Sequence, residues 1–413
     1  MRQLTDFTSE SLKNGVEERI MRILIISEVF WPEDFLINEL AALWKKSGHE
    51  VEVISQYPSY PESYVYDGYE NKGYSIENWD GIKIHRFHFI EGYKKSKIKK
   101  YLNYLLFVRI GNKIAKKIGN SFDIIFVSQT GPLSVALPAI KIKKRFGKKT
   151  AIYTCDIWPD VLYSYGIPQK WPFTTILNKF VKYVYGKFDK ILVSSERFRE
   201  VLVKYTDKKI SYAPNWIRDN EEKLSSSLSL NNSEFNFTFT GNVSHAQNLM
   251  NVVKGFVAAK IQNARLNIVG DGSAIEELRD FLKKNPNANV DLCGRYPHNQ
   301  MQNILAQSDV CIISLITGTA LELTEPLKLQ DYLISGKPIY GVLNGSIKDI
   351  IEQNFLGLCA NPEDINDIAE GFKNMVEFAK SRSNSIIERS IKLIKNRFDK
   401  TKIVKYINNE IGI

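Results

Sequence analysis

The chain has 413 residues, enough for two cores of similar size, and its 44% hydrophobic and 25% charged content is that of a globular protein, not a disordered or fibrous one. No window comes near the roughly 18 uninterrupted apolar residues of a membrane-spanning helix, and the polar start, 1–20, lacks the apolar centre of a secretory leader. The net charge of +10 is unevenly placed: by count, residues 21–213 carry roughly +12 and the rest is near neutral, so the first half is expected to face an anionic partner or surface.

Four scattered cysteines, Cys155, Cys293, Cys311 and Cys359, give neither metal spacing nor a disulfide framework and suit a reducing, cytoplasmic compartment. Met21-Arg22-Ile23 reads as a second natural start, so 1–20 is either a dispensable tail or the product of an upstream start codon. From there strands and helices alternate. Arg22–Ser27 is a buried strand, Ile37–Lys46 an amphipathic helix, and Gly48–Ser55 a turn and second strand. Tyr57–Gly81, with prolines at 58 and 61 and six tyrosines, reads as a long loop, either a functional lid or binding loop or a disordered stretch. Further strands are expected over Ile82–Ile90, Asp123–Ser128, Thr150–Cys155 and Lys190–Ser194. Between Lys94 and Lys117 basic residues bracket an apolar aromatic centre, which fits an interfacial helix on an anionic membrane, or a solvated basic helix with its apolar face in the core. Trp171-Pro-Phe173 offers a second membrane contact.

The pattern pauses over a polar connection, 214–236, and restarts with Phe235–Thr240, Leu266–Gly270, Val290–Cys293, Asp309–Leu315 and Pro338–Leu343. The expected architecture is α/β: a first Rossmann-like domain over 21–213, a second over 237–395, the two facing each other, and a terminal helix over 396–413 that can cross back. Gly270-Asp-Gly272 follows a strand, and Ser273 with Glu276 has the spacing of a capping box. It lacks the full G-x-G-x-x-G pattern and an acidic residue on a following strand, so a nicotinamide site is rejected. Gly241 sits at a comparable strand end, where a missing side chain permits close approach of a ligand.

The run Thr324–Pro338 carries the clearest chemistry. Thr324 can cap a helix, Pro326 is tolerated in its first turn, and Gly336 with Pro338 can end it. Lys328, Asp331 and Ser335 then share one polar stripe on an otherwise apolar helix, whose positive N-terminal end is a natural seat for a phosphate. The plainer alternative is a lysine–aspartate pair on a solvated face.

Arg22-Ile-Leu-Ile-Ile-Ser27, Gly48-His-Glu-Val-Glu-Val53, Asp156-Ile-Trp-Pro-Asp160, Pro214-Asn215, Thr240-Gly-Asn-Val-Ser244, Val269-Gly-Asp-Gly272 and Pro326–Pro338 together, in this order, resemble the family 4 glycosyltransferases of the GT-B fold over residues 21–400. The subgroup resembles bacterial transferases that add N-acetyl-L-fucosamine in O-antigen or capsule assembly. The resemblance implies a nucleotide-sugar donor, UDP-linked, held by the second domain, and a lipid-linked saccharide acceptor held by the first, at the inner membrane face. It implies retention of anomeric configuration, no cofactor and no nucleic-acid partner; the absence of an Asp-x-Asp motif between the candidate donor residues favours a reaction without a metal. Asp331 matches the second carboxylate of the family's Glu-x7-Glu pattern, which binds the ribose; the first falls at Leu323, leaving Glu322 and Glu325 as candidates on either side. The usual arginine–lysine clamp on the diphosphate is absent, with Asn242 and Gln247 in that loop, so Lys328 and the helix N-terminus would neutralise the leaving group. Arg295 and Tyr296 match the base-contacting loop, Gly241 and Leu329 line the donor site, and Asp156 ends a strand at the cleft, either as a catalytic group or as a turn cap. Two rivals stand beside this reading: a GT-B sugar-nucleotide epimerase, and a non-catalytic nucleotide-sugar-binding subunit of a polysaccharide assembly complex.

Overall fold

A computed structural model describes residues 19–164, 169–218 and 227–413. The polar start, except for Arg19 and Ile20, and the stretch 219–226 of the expected linker lie outside the described residues. The chain divides into two compact units. One holds the described residues up to Thr130, with Ser134–Ile152 and Asn408–Ile413; the other holds Gly131–Leu133 and Tyr153–Ile407.

In the first unit the strands are β1 (Arg22–Ser27), β2 (Glu50–Gln56), β3 (Tyr74–Trp79), β4 (Ile82–Phe87), β5 (Ile124–Gln129) and β6 (Lys149–Thr154), in the sheet order β3-β4-β2-β1-β5-β6. β1 pairs in parallel with β2 and β5, and β2 with β4. Apart from its first residue β1 is buried throughout, as in a parallel sheet covered on both faces. The helix Leu36–Lys46 contributes Trp44, which meets Phe126 edge-on and donates its indole N–H to Asn408 Oδ1 at 2.8 Å. The last residues of the terminal helix, Lys400–Ile411, thus belong to the first unit.

The long aromatic loop differs from expectation. Its last part is strand β3, antiparallel to β4; of two buried charges, Glu33 fastens the start of the loop and Arg86 fastens the strand. Glu33 accepts the N–H groups of Phe30, Ser59 and Tyr60 at 3.1, 2.8 and 2.7 Å. Burial raises its pKa, and the three backbone bonds oppose the rise. Arg86, fully buried, donates to Glu77 Oε2, Gln56 O and Trp31 O, tying the edge strand to the loop after β1 and the end of β2.

In the second unit β7 (Lys190–Val193) and β8 (Ile210–Tyr212) pair in parallel. A six-stranded parallel sheet is built from β9 (Phe235–Thr240), β10 (Ala264–Val269), β11 (Val290–Gly294), β12 (Val310–Ser314), β13 (Ile339–Val342) and β14 (Gly357–Ala360). Its order is β11-β10-β9-β12-β13-β14. One core cluster packs Phe237, Phe256, Phe372 and Tyr340 ring against ring; another packs Ile313, Leu329, Tyr332, Leu333 and Ile347. Residues 195–217 are bonded into this unit: Ser195 Oγ donates to Leu323 O, Arg197 pairs with Asp349, and Ile217 N donates to Phe398 O. The short strands β8 and β14 were not anticipated from sequence.

Candidate active site

The site is built at the carboxyl end of β9, where open α/β sheets bind ligands. Gly241 follows the strand with φ +127°, and its N–H donates to Val269 O at 2.9 Å. A side chain on Gly270 would put its Cβ 1.8 Å from Gly241 O, and one on Gly272 would lie 2.4 Å from Val243 O and Asn242 Oδ1. The two glycine turns therefore press backbone on backbone, held further by Val243 N to Asp271 O and Ala274 N to Val243 O, both 3.0 Å. The helix Ile275–Lys284 has no side-chain cap, so the capping box expected at Ser273 does not form; the Val243–Ala274 bond serves that end.

The helix expected from Thr324 begins at Lys328 and runs to Ser335, ended by Gly336. Thr324 instead turns its hydroxyl onto Leu321 O at 2.7 Å, closing the short turn Ala320–Leu323. Two side chains seat the helix. Tyr332, fully buried, accepts Thr240 N–H at 3.1 Å and donates to Ile312 O at 2.9 Å; Gln330 donates to Asn215 O at 2.5 Å. The helix is thereby registered against the end of β9.

This registration puts the Lys328 ammonium over the Phe239 ring, 4.1 Å from its centroid, and in a hydrogen bond to Gln247 Oε1. Its Nζ lies 3.2 Å from where a Gly241 Cβ would stand, so only glycine leaves that path open without displacing the lysine. Burial pushes the ammonium pKa down to about 7, with Asp331 one turn on pulling it partly back. Lys328, Gln247 and Gly241 thus lie together. The helix N-terminus contributes less than expected, because Leu329 N and Gln330 N are bonded to Pro326 O and Leu327 O. The charge at this end is the lysine.

Asp331 is one-fifth exposed, with His298 Nε2 3.5 Å from its Oδ1. His298 was not singled out from sequence; it sits 33 positions away, in the turn His298–Gln300. Of its neighbours, Arg295 is exposed, while Tyr296 is partly buried against Val269, Met301 and Ile304. Asn242 is exposed beside Gly272. Glu322 turns one carboxylate oxygen to Gly318 N–H at 3.0 Å. Asp156, partly buried, lies two residues beyond β6, and the helix that follows it, Asp160–Ser164, packs against the turn Ala320–Leu323.

Two expected donor ligands are placed elsewhere. Leu329 is buried in the core with Cys311, Ile313 and Leu333, so its side chain has no path to a ligand. Glu325 is also buried: its carboxylate accepts from Tyr212 Oη at 2.9 Å, Arg397 Nη2 at 3.0 Å and Glu196 N at 3.2 Å. Its oxygens are used inside the protein, which leaves Glu322 as the carboxylate of the two nearer solvent. Among the described residues no group of three or more histidine, cysteine or acidic side chains is arranged to hold a metal ion.

Two family models match, "Glycosyltransferase Family 4" over residues 36–221 and "Glycosyl transferases group 1" over residues 220–392. A curated relative, "Probable glycosyltransferase WbjE" of Pseudomonas aeruginosa, is 23% identical over 253 residues, a match that takes in 58% of this chain and 63% of the relative's length. Among solved structures, sucrose-phosphate synthase from Thermosynechococcus elongatus is similar with TM-score 0.69 at 14% identity, over 95% of this chain and 98% of that one. Anabaena Alr3699/HepE in complex with UDP is similar with TM-score 0.67 at 12% identity, over 95% of this chain and all of that one. By these two models, which between them take in residues 36–392, and by its two parallel-sheet domains, the chain is a member of the GT-B glycosyltransferases of the family 4 and group 1 kind.

Proposed function

We propose that the protein is a retaining glycosyltransferase that moves a sugar, N-acetyl-L-fucosamine or a related deoxy-aminosugar, from a UDP-linked donor to a lipid-linked saccharide acceptor of a cell-surface polysaccharide. One observation carries the donor site: the Lys328 ammonium is held at the end of β9 by Phe239 and Gln247, with Asp331 one turn along the same helix. A cation there neutralises the diphosphate as it leaves, and a carboxylate one turn on can accept from two ribose hydroxyls. The UDP in the HepE structure supports the choice of nucleotide. The acceptor and the sugar rest on the sequence resemblance, and Asp156 on its position beyond β6.

The lysine gives the reading a pH signature. In the free protein the ammonium is lost as pH rises through about 7; a bound diphosphate favours the charged form and raises that pKa. UDP affinity should therefore hold steady below this range and fall above it, by up to about tenfold per pH unit. The titration of UDP itself is removed by subtraction against Lys328→Met, measured by calorimetry over the same range. Parallel pH profiles for the two proteins would remove Lys328 from the donor site.

Turnover is expected to need no divalent cation, since Lys328 takes the position of the missing charge clamp. Full activity should survive EDTA; complete loss, restored by magnesium or manganese, would assign the diphosphate charge to a metal. Incubation with donor alone separates the epimerase reading, because an isomerised sugar nucleotide would then form without acceptor.

A further inference from the structure

Among the described residues no helix is long and apolar enough to cross a membrane. The helix Lys97–Ile118 of the first unit nevertheless carries two apolar faces. Asn103, Phe107, Gly111, Ile114 and Ala115 are buried and form its core face. Ile98, Tyr101, Leu102 and Leu105 are 73, 63, 46 and 49% exposed. Their spacing, i, i+3, i+4 and i+7, makes one continuous stripe, and at 3.6 residues per turn that stripe points about half a turn away from the core face. Packing inside its own unit does not explain it. A solvated basic helix would show charge there.

The charges are placed around the stripe. Lys97 and Lys99 flank it, and along the same line towards the C-terminus the outward face becomes Arg109, Lys113 and Lys116, all exposed. The helix has no acidic residue over its whole length. Ser96 caps its N-terminus, accepting Lys99 N–H, so the helix is formed before any partner arrives. An exposed apolar stripe set in an unbroken basic field is complementary to a surface that is anionic outside and apolar just beneath. A second copy of this helix would bring basic field against basic field.

We propose that this helix docks the first unit on an anionic lipid bilayer, with Ile98, Tyr101, Leu102 and Leu105 inserted among the lipids and the basic residues on the headgroups. This deepens the membrane-linked acceptor in the proposed function and rests on that reading only for its purpose; the geometry of the helix is independent of the donor site.

The test is flotation of the full chain with vesicles of phosphatidylcholine alone and of phosphatidylcholine mixed with phosphatidylglycerol. Recovery is expected on the anionic vesicles and to fall with salt. Each of Lys97→Gln and Lys99→Gln should lower partitioning about fivefold. Tyr101→Ser with Leu105→Ser should abolish it while leaving the circular-dichroism spectrum and the thermal midpoint, which report the fold, and UDP affinity, which reports the donor site, unchanged. Equal recovery on both vesicle types, or wild-type flotation of the doubly substituted protein, would overturn the proposal. So would a lipid-free dimer in sedimentation that the double substitution disperses, since the stripe would then belong to a second copy. UDP binding without flotation sinks this proposal alone, and flotation without UDP binding sinks the donor reading alone.

Discussion

Replacing Arg397 with alanine is expected to destabilise the second unit by about 3 kcal/mol, because it strands a buried carboxylate. Glu325 is 3% exposed and Arg397 30%, so water can reach the vacated guanidinium site but not readily the carboxylate. Tyr212 Oη and Glu196 N–H would remain, two donors without a countercharge. Arg397 also lies over the rings of Tyr212 and Phe398, 5.3 and 5.7 Å from their centroids, so lysine at this position loses stacking as well as the fork and should recover only part of the loss. Glu325→Gln combined with Arg397→Met removes both charges and should return most of the stability, as buried pairs replaced by apolar groups often do. The urea midpoints of the three variants against wild type decide this. A wild-type midpoint in Arg397→Ala would mean that Glu325 is solvated after all. A consequence for the site follows: Glu325 immediately precedes Pro326 and so anchors the approach to the helix Lys328–Ser335, and weakened anchoring should lower nucleotide affinity even where the unit stays folded.

The same residue shows where sequence reading stops. An acidic residue three positions before Lys328 reads as a ligand because the motif around it is a ligand-binding motif. Its actual partner is 72 positions away, in the π-helical turn Ile394–Phe398, and no local pattern announces that pairing. His298 near Asp331 was invisible for the same reason. β3 was hidden differently: Tyr74, Ser75 and Ile76 are all exposed, so the strand lacks the alternation that marks a half-buried one. Pairing with β4 and the Arg86–Glu77 ion pair hold it instead. What was legible had local causes. The apolar runs of β1 and β12 have that form because both faces of a parallel sheet are covered. The stop at Gly336 needed only a left-handed residue, and the polar stripe of Lys328 and Asp331 only the helical period. Thr324 failed as a cap because the turn Ala320–Leu323 claimed its hydroxyl first.

Lys328→Ala is expected to lower kcat by about 10- to 150-fold, the equivalent of losing one charge-assisted hydrogen bond of about 1.5–3 kcal/mol. The loss belongs in kcat because negative charge on the diphosphate bridge grows as the glycosidic bond breaks, so the ammonium interacts most strongly with the transition state. Part of its ground-state interaction is already spent: before donor binds, the ammonium is paired with Gln247 and the Phe239 ring, which the diphosphate must replace. Gln247→Ala should therefore change donor affinity without reproducing the loss in kcat. Lys328→Ala should also leave the fold intact, since the helix is seated by Tyr332 and Gln330 and the deleted ammonium is a desolvated cation whose removal costs little. Asp331→Asn should differ. The amide oxygen still accepts from one ribose hydroxyl, and that contact exists before and during reaction alike, so its loss should appear in KM and in UDP affinity with kcat nearly unchanged. Should Lys328 and Asp331 serve only each other, either change would cost under about 1 kcal/mol of stability and leave both constants alone. Steady-state kinetics and UDP calorimetry on the three variants separate these outcomes. Wild-type kcat in Lys328→Ala, with UDP affinity also unchanged, would move the donor away from this helix.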